Sequence, residues 1–287
     1  TTESLSAILG GVDGLQIEPF DSVGGETTAL SERVARNLHL LLVDEFGFAE
    51  PNDAAGGSWY VESLTDELAR KSWAIFREVE GQGGMVKALA VGWPQAQVTA
   101  TAATRAQDFA IRRNGLLGSN LFPNPKDPTP RLDASATDAI LSPYRAAAAF
   151  EKLRVAAADI AAKRGKPPTV YLAKIGSVKE HKARADFAAE FMAVGGFTVE
   201  GGPSPETCDA DVVVICSTDE NYGELVPRLA PTLKQAKPDR VVILAGLPRD
   251  PDVLQNFKNA GVDEFIHVRA NLPEIMTGLL NRLGANL

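Results

Sequence analysis

Five short apolar runs in the second half of the chain limit the choice of fold more than any other feature. They read TVYLAKI, FTVEGG, DVVVICS, RVVILAG and EFIHVR, beginning at Thr169, Phe197, Asp211, Arg240 and Glu264. Runs so continuously apolar suit strands buried on both faces, and such strands lie parallel, with helices covering each side of the sheet. Amphipathic stretches stand between most of them, over 179–194, near 220–236 and after each of the last two runs. The pattern predicts a doubly wound parallel sheet over residues 165–287. One connection breaks it: only about ten residues separate FTVEG from DVVVIC, scarcely enough for a helical crossover between parallel strands. Either that crossover is irregular or residues are missing there.

The first half alternates differently. LQIEPF, residues 15–20, reads as a short strand, and Val34, Leu38, Leu41 and Leu42 then recur at helical spacing over 31–45. SWYVES, residues 58–63, reads as a second strand. Thr65 is a candidate cap for a following helix that carries Leu68, Ser72, Ile75, Phe76 and Val79 on one side. Two parallel strands are too few to close a sheet, so the missing neighbours imply a fragment of a longer fold. A further helix is expected over 98–114, then a proline-rich passage with Pro123, Pro125, Pro128 and Pro130, which block regular structure. A helical stretch near 143–163 precedes the second half. The expected domains are therefore 1–118, a linker with a connecting helix at 119–164, and 165–287.

Composition narrows the partners. Across 287 residues there are 29 Lys and Arg against 37 Asp and Glu, a formal net charge of −8. No general cationic surface offsets phosphate repulsion, which argues against nucleic acid and anionic membranes as partners. No apolar run approaches the ~18 residues of a spanning helix, and TTESLSAILGG lacks the basic and apolar regions of an export signal. Cys208 and Cys216 are the only cysteines, too few for a disulfide framework. A reduced cytoplasmic protein is the simplest expectation.

Specific strings carry a family resemblance. PNDAAGGSWYVESLTDELARKSWAIFREVEGQGGMVKAL resembles the last β/α unit of the barrel in the methylmalonyl-CoA mutase family, and FDSVGGETTALSERVARNLHLLLVDE resembles the unit before it. LAKIGSVKEHKARADFAAEFMAVGGF looks like the opening of that family's C-terminal cobalamin domain. The resemblance implies the last part of a (β/α)8 TIM barrel, followed by a flavodoxin-like domain. It also implies adenosylcobalamin held between the two for radical rearrangement of an acyl-CoA. The difficult chemistry in such an enzyme belongs to the cofactor.

The family's cobalt-ligating motif is Asp-x-His-x-x-Gly after the first strand of the second domain, and here it is broken. Counted from Gly176, its three places hold Val178, Glu180 and Ala183; anchored on His181, they hold Lys179, His181 and Arg184. A ligating imidazole needs an acceptor on its other nitrogen, which Lys179 cannot supply. Arg184 sets a guanidinium where the motif has a hydrogen atom. Ser-x-Leu after the third strand becomes Cys216, Ser217 and Thr218, and Gly-Gly after the fourth becomes Ala245 and Gly246. In the barrel, the Asp-Glu-Ala whose glutamate meets the adenosyl ribose becomes Asp21, Ser22 and Val23.

This pattern resembles the non-catalytic small subunit of heterodimeric members. It implies no catalytic, cofactor-binding or metal residue on this chain, a homologous catalytic large subunit as partner, and adenosylcobalamin on that subunit. Two alternatives stay open. One is a cobalamin-binding subunit with a divergent loop that uses His181 as cobalt ligand; the other is a sensor module taking a different small ligand. His39 and His267 are read as packing or hydrogen-bonding residues, Glu18 as a salt-bridge or polar-layer residue, and Cys216 as a buried small hydrophobe. Trp59, Tyr60 and Trp73 suit either a subunit contact or internal packing.

Overall fold

The structure, a computed structural model, describes residues 1–22, 27–130 and 145–287. It forms two compact units, Thr1–Gln97 and Val98–Leu287.

The regular elements among the described residues of the first unit are all helices. Helix α1 is Thr2–Leu9, α2 is Ala29–Leu40 and continues into a π-helical turn Leu41–Glu45, α3 is Trp59–Gly81, and α4 is Met85–Ala90. Helix α5, Trp93–Ala110, runs into the second unit. At the start of α2 the Thr28 hydroxyl accepts the Ser31 N–H at 3.2 Å, and the Ser31 hydroxyl accepts the Thr28 N–H at 3.1 Å, a reciprocal cap.

Both strand expectations here are corrected. Residues 15–20 form no strand: they have no regular structure up to a turn at Phe20, and no ladder partner among the described residues. Residues 59–63 are the first turns of α3, so Thr65 is interior and Ser58 is the N-cap. SWYVES fits either period over six residues, but Val61, Leu64, Leu68, Ser72, Ile75 and Val79 sustain helical spacing over 19 residues. A helix also satisfies its backbone groups internally, whereas a strand without neighbours cannot.

The second unit is the predicted α/β architecture. Strands β1 (Thr169–Lys174), β2 (Thr198–Gly202), β3 (Val212–Cys216), β4 (Val241–Ala245) and β5 (Glu264–Ile266) form one parallel sheet in the order β2-β1-β3-β4-β5. That order is the flavodoxin-like one, with its topological switch between β1 and β3. Alternate strand residues feed opposite faces. Val170, Leu172, Val212, Val214, Cys216 and Ile243 pack with α6 (Ala148–Arg164), α7 (Val178–Val194) and α10 (Leu272–Arg282). Ala173, Val213, Ile215, Val242 and Leu244 pack with α8 (Asp219–Ala236) and α9 (Pro251–Asn259).

The doubtful crossover is irregular. Between β2 and β3 the chain makes only a 3-10 turn, Pro205–Thr207. Arg240 anchors it: the guanidinium donates to the carbonyls of Cys208 and Ala210 and is 2% exposed. The start of the proline-rich passage, and the turn before it, are fastened to the unit. Arg112 stacks 4.6 Å from the Phe187 ring on α7, and the Phe122 N–H donates to Glu190 at 2.8 Å. Buried Asn120 bonds three backbone groups, those of Phe109, Asn114 and Leu116.

Candidate functional site at the carboxyl edge of the sheet

In open α/β sheets, ligands enter at the carboxyl ends of the strands, beside the switch point. Three connections meet there in this chain. After β1, Ile175, Gly176 and Ser177 turn into α7, and Gly176 takes φ +89°, where a Cβ would lie 2.7 Å from Glu180 Oε2. Following β3, buried Ser217 and then Thr218 lead into α8. Past β4 comes Gly246.

The β1 turn is locked by a carboxylate. Glu180 Oε2 accepts from the Ser177 N–H at 2.6 Å and the Ser177 hydroxyl at 2.7 Å, while Oε1 accepts from Asn221 Nδ2 at 3.0 Å. Asn221 Nδ2 also reaches Ser217 Oγ at 3.1 Å, tying the β1 turn to the β3 turn. The hydrogen bonds from Ser177 and Asn221 hold the Glu180 pKa down at about 2.

The second half of the network centres on Arg184, one helical turn further along α7. Its Nη1 donates to the Ala245 carbonyl at 2.6 Å, its Nη2 pairs with Asp219 at 2.9 Å, and its guanidinium carbon lies 5.1 Å from the centre of the Tyr222 ring. Tyr222 OH accepts the Ser217 N–H at 3.1 Å and donates to the same Ala245 carbonyl at 2.9 Å. One carbonyl oxygen thus receives both a guanidinium and a phenol, which uses its two lone pairs. Burial pushes the Tyr222 phenol up to about 12, so it stays protonated as donor. Cys216 is fully buried, and its thiol is likewise raised to about 12 by desolvation.

The structure brings Arg184, Ser217, Ala245 and Gly246 together, as their places after successive strands imply. Lys179 is exposed and takes no part. His181 is half-buried in the first turn of α7, and its Nδ1 is buried with no hydrogen-bond partner among the described residues. Glu180, next to it in sequence, spends both carboxylate oxygens on Ser177 and Asn221. Sequence reasoning missed Asp219, Asn221 and Tyr222. Their place in the first turn of the helix after β3 was the available signal.

Elsewhere the sequence candidates have local roles. Asp21 Oδ2 accepts the Thr28 N–H at 3.0 Å and hydroxyl at 2.8 Å, holding the start of α2; Val23 lies outside the described residues. Exposed Glu18 accepts from Gln16 at 2.6 Å. His39 is half-buried on α2, and His267 Nδ1 faces the Arg269 N–H at 3.4 Å.

The comparisons with known proteins decide the family. The family described as methylmalonyl-CoA mutase matches residues 1–164. This chain belongs to the methylmalonyl-CoA mutase family. It is 34% identical over 302 residues to the methylmalonyl-CoA mutase small subunit of Streptomyces virginiae, covering 99% of this chain and 46% of that protein. It is 31% identical over 303 residues to the small subunit of Porphyromonas gingivalis, covering 99% and 47%. A methylmalonyl-CoA mutase of Cereibacter sphaeroides is 40% identical over 132 residues, 46% of this chain and 19% of that protein. The chain spans about half the length of the curated small subunits it matches over 99% of its length. Among the described residues, no helix is long and apolar enough to cross a membrane.

Proposed function

We propose that this chain is part of the small, non-catalytic subunit of an adenosylcobalamin-dependent methylmalonyl-CoA mutase, an isomerase that interconverts methylmalonyl-CoA and succinyl-CoA. In this reading it stabilises a homologous catalytic large subunit in a cytoplasmic heterodimer, and the large subunit holds the adenosylcobalamin that supplies the radical chemistry. Residues 1–118 take their place in the family's TIM barrel within the whole subunit, residues 119–164 connect, and residues 165–287 form the cobalamin-type domain without its cofactor. The small-subunit relatives matched along 99% of the chain support the assignment.

The observation that carries the non-catalytic reading is the state of the carboxyl edge. The residues there do not fit the cofactor: the Arg184 guanidinium stands against Gly246 and Ala245, and no carboxylate among the described residues accepts from His181 Nδ1. Hydroxocobalamin titrated into the purified chain should leave its base-on spectrum unchanged. A base-off, His-on spectrum with tight stoichiometric uptake would overturn the reading. Native mass spectrometry with the catalytic subunit should give a one-to-one complex.

One observation favours a second reading. The unpartnered Nδ1 of His181 leaves a ring nitrogen uncommitted, as a cobalt ligand in a divergent loop requires. On that reading, His181→Ala abolishes activity of the reconstituted enzyme; on ours, it changes little.

A further inference from the structure

We propose that Arg184 is a built-in occupant of the carboxyl-edge crevice, a side chain seated where a fold of this kind receives a ligand. This deepens the reading that the crevice holds no cofactor, and rests on it. Three unlike groups converge on one guanidinium: the Ala245 carbonyl at 2.6 Å, the Asp219 carboxylate at 2.9 Å and the face of the Tyr222 ring. An acceptor, an anion and an aromatic face are what a planar cation needs. They come from β4 and from the first turn of α8, while the cation comes from α7, so the guanidinium also cross-links elements on opposite faces of the sheet.

Gly246 completes the seat. A Cβ built there would lie 2.2 Å from Arg184 Nη1, while the nearest Tyr222 atom would be 3.5 Å away. Gly246 also takes φ +150°, which favours glycine by itself, and the close guanidinium adds a second reason for glycine at this position. With the arginine truncated, the same groups form a pocket for a small alkylguanidinium, with no side chain at residue 246 to fill it.

The test is chemical rescue in the full-length chain. Arg184→Ala should lower Tm by about 3–6 °C, the scale of a lost charge-assisted contact in a unit of this size. Millimolar ethylguanidinium should restore at least half of that loss, saturably, while ethylammonium or sodium chloride at equal ionic strength should not. Gly246→Ala should lower Tm in both backgrounds because of its φ, but by clearly less beside Arg184→Ala, where the clash with the guanidinium is gone, and it should abolish rescue. Should Arg184→Ala fail to fold, the same cycle is run on Arg184→Lys, whose ammonium cannot meet the carbonyl and the carboxylate together. Absence of saturable rescue, or additive Tm losses in the cycle, overturns the proposal. Hydroxocobalamin uptake tests the functional reading instead, so the two fail on different measurements.

Discussion

At the start of α7 the Glu180 carboxylate takes hydrogen bonds from Ser177 and Asn221, and these lower its pKa from 4.5 to about 2. A pKa lower in the folded than in the unfolded chain adds stability above the unfolded value, and that contribution is lost as pH falls toward the folded one. The stability gap between the unsubstituted chain and Glu180→Gln should therefore be full above pH 5 and shrink between about pH 5 and pH 2, read from urea midpoints. A gap independent of pH would show that the carboxylate's charge is not what the turn uses. Cys216 offers a second check at this scale, because its thiol is buried and raised to about 12, while Cys208 is half-exposed. In the native chain at pH 7, a thiol reagent should label Cys208 and leave Cys216 unmodified until unfolding. The continuous apolar run of DVVVICS marked Cys216 as buried from sequence. Only their place in the first turn after β3 marked Asp219 and Tyr222; their role depends on an arginine 35 or more residues earlier.

The crossover from β2 to β3 shows how an element can be replaced. About ten residues were too few for a helix, and the chain instead uses a 3-10 turn tied to Arg240. Arg240→Met should cost about 2 kcal/mol, since it strips donors from carbonyls at a buried position. It should also speed limited proteolysis within 203–210. Unchanged proteolysis would mean that packing alone holds the turn. Two prolines, Pro227 and Pro231, lie inside α8 away from its buried stripe of Leu225, Val226, Leu229 and Leu233, where freed carbonyls can meet water. α3 gives the opposite lesson from the crossover. Its first six residues read equally well as a strand, and the helical period becomes decisive only along the whole 23-residue element.

Across the whole molecule, the described residues of the first unit bury little of their apolar surface. On α3, Trp59 is 91% exposed and Leu68, Trp73, Ile75 and Phe76 are each at least half exposed. Apolar patches of this kind on a monomer promote association. The purified chain should self-associate with concentration, and Leu68→Glu with Phe76→Glu should suppress this in sedimentation velocity; identical profiles would show that the face is not responsible. The second unit buries two apolar clusters, one on either side of its sheet.

Local sequence determined most of the second unit, because β3 and β4, buried along their whole length, leave continuous apolar runs and the spacing of the runs set the helices, whereas edge strand β2 is largely exposed. The family resemblance further implied a cobalt-ligating motif broken at Lys179 and Arg184, and, separately, a Gly-Gly pair changed at Ala245. What became of the crevice was decided only in three dimensions. Arg184, Asp219, Tyr222 and Ala245 are distant along the chain and meet because parallel strands deliver their carboxyl ends to one edge, where a guanidinium can satisfy a carbonyl, a carboxylate and a ring together.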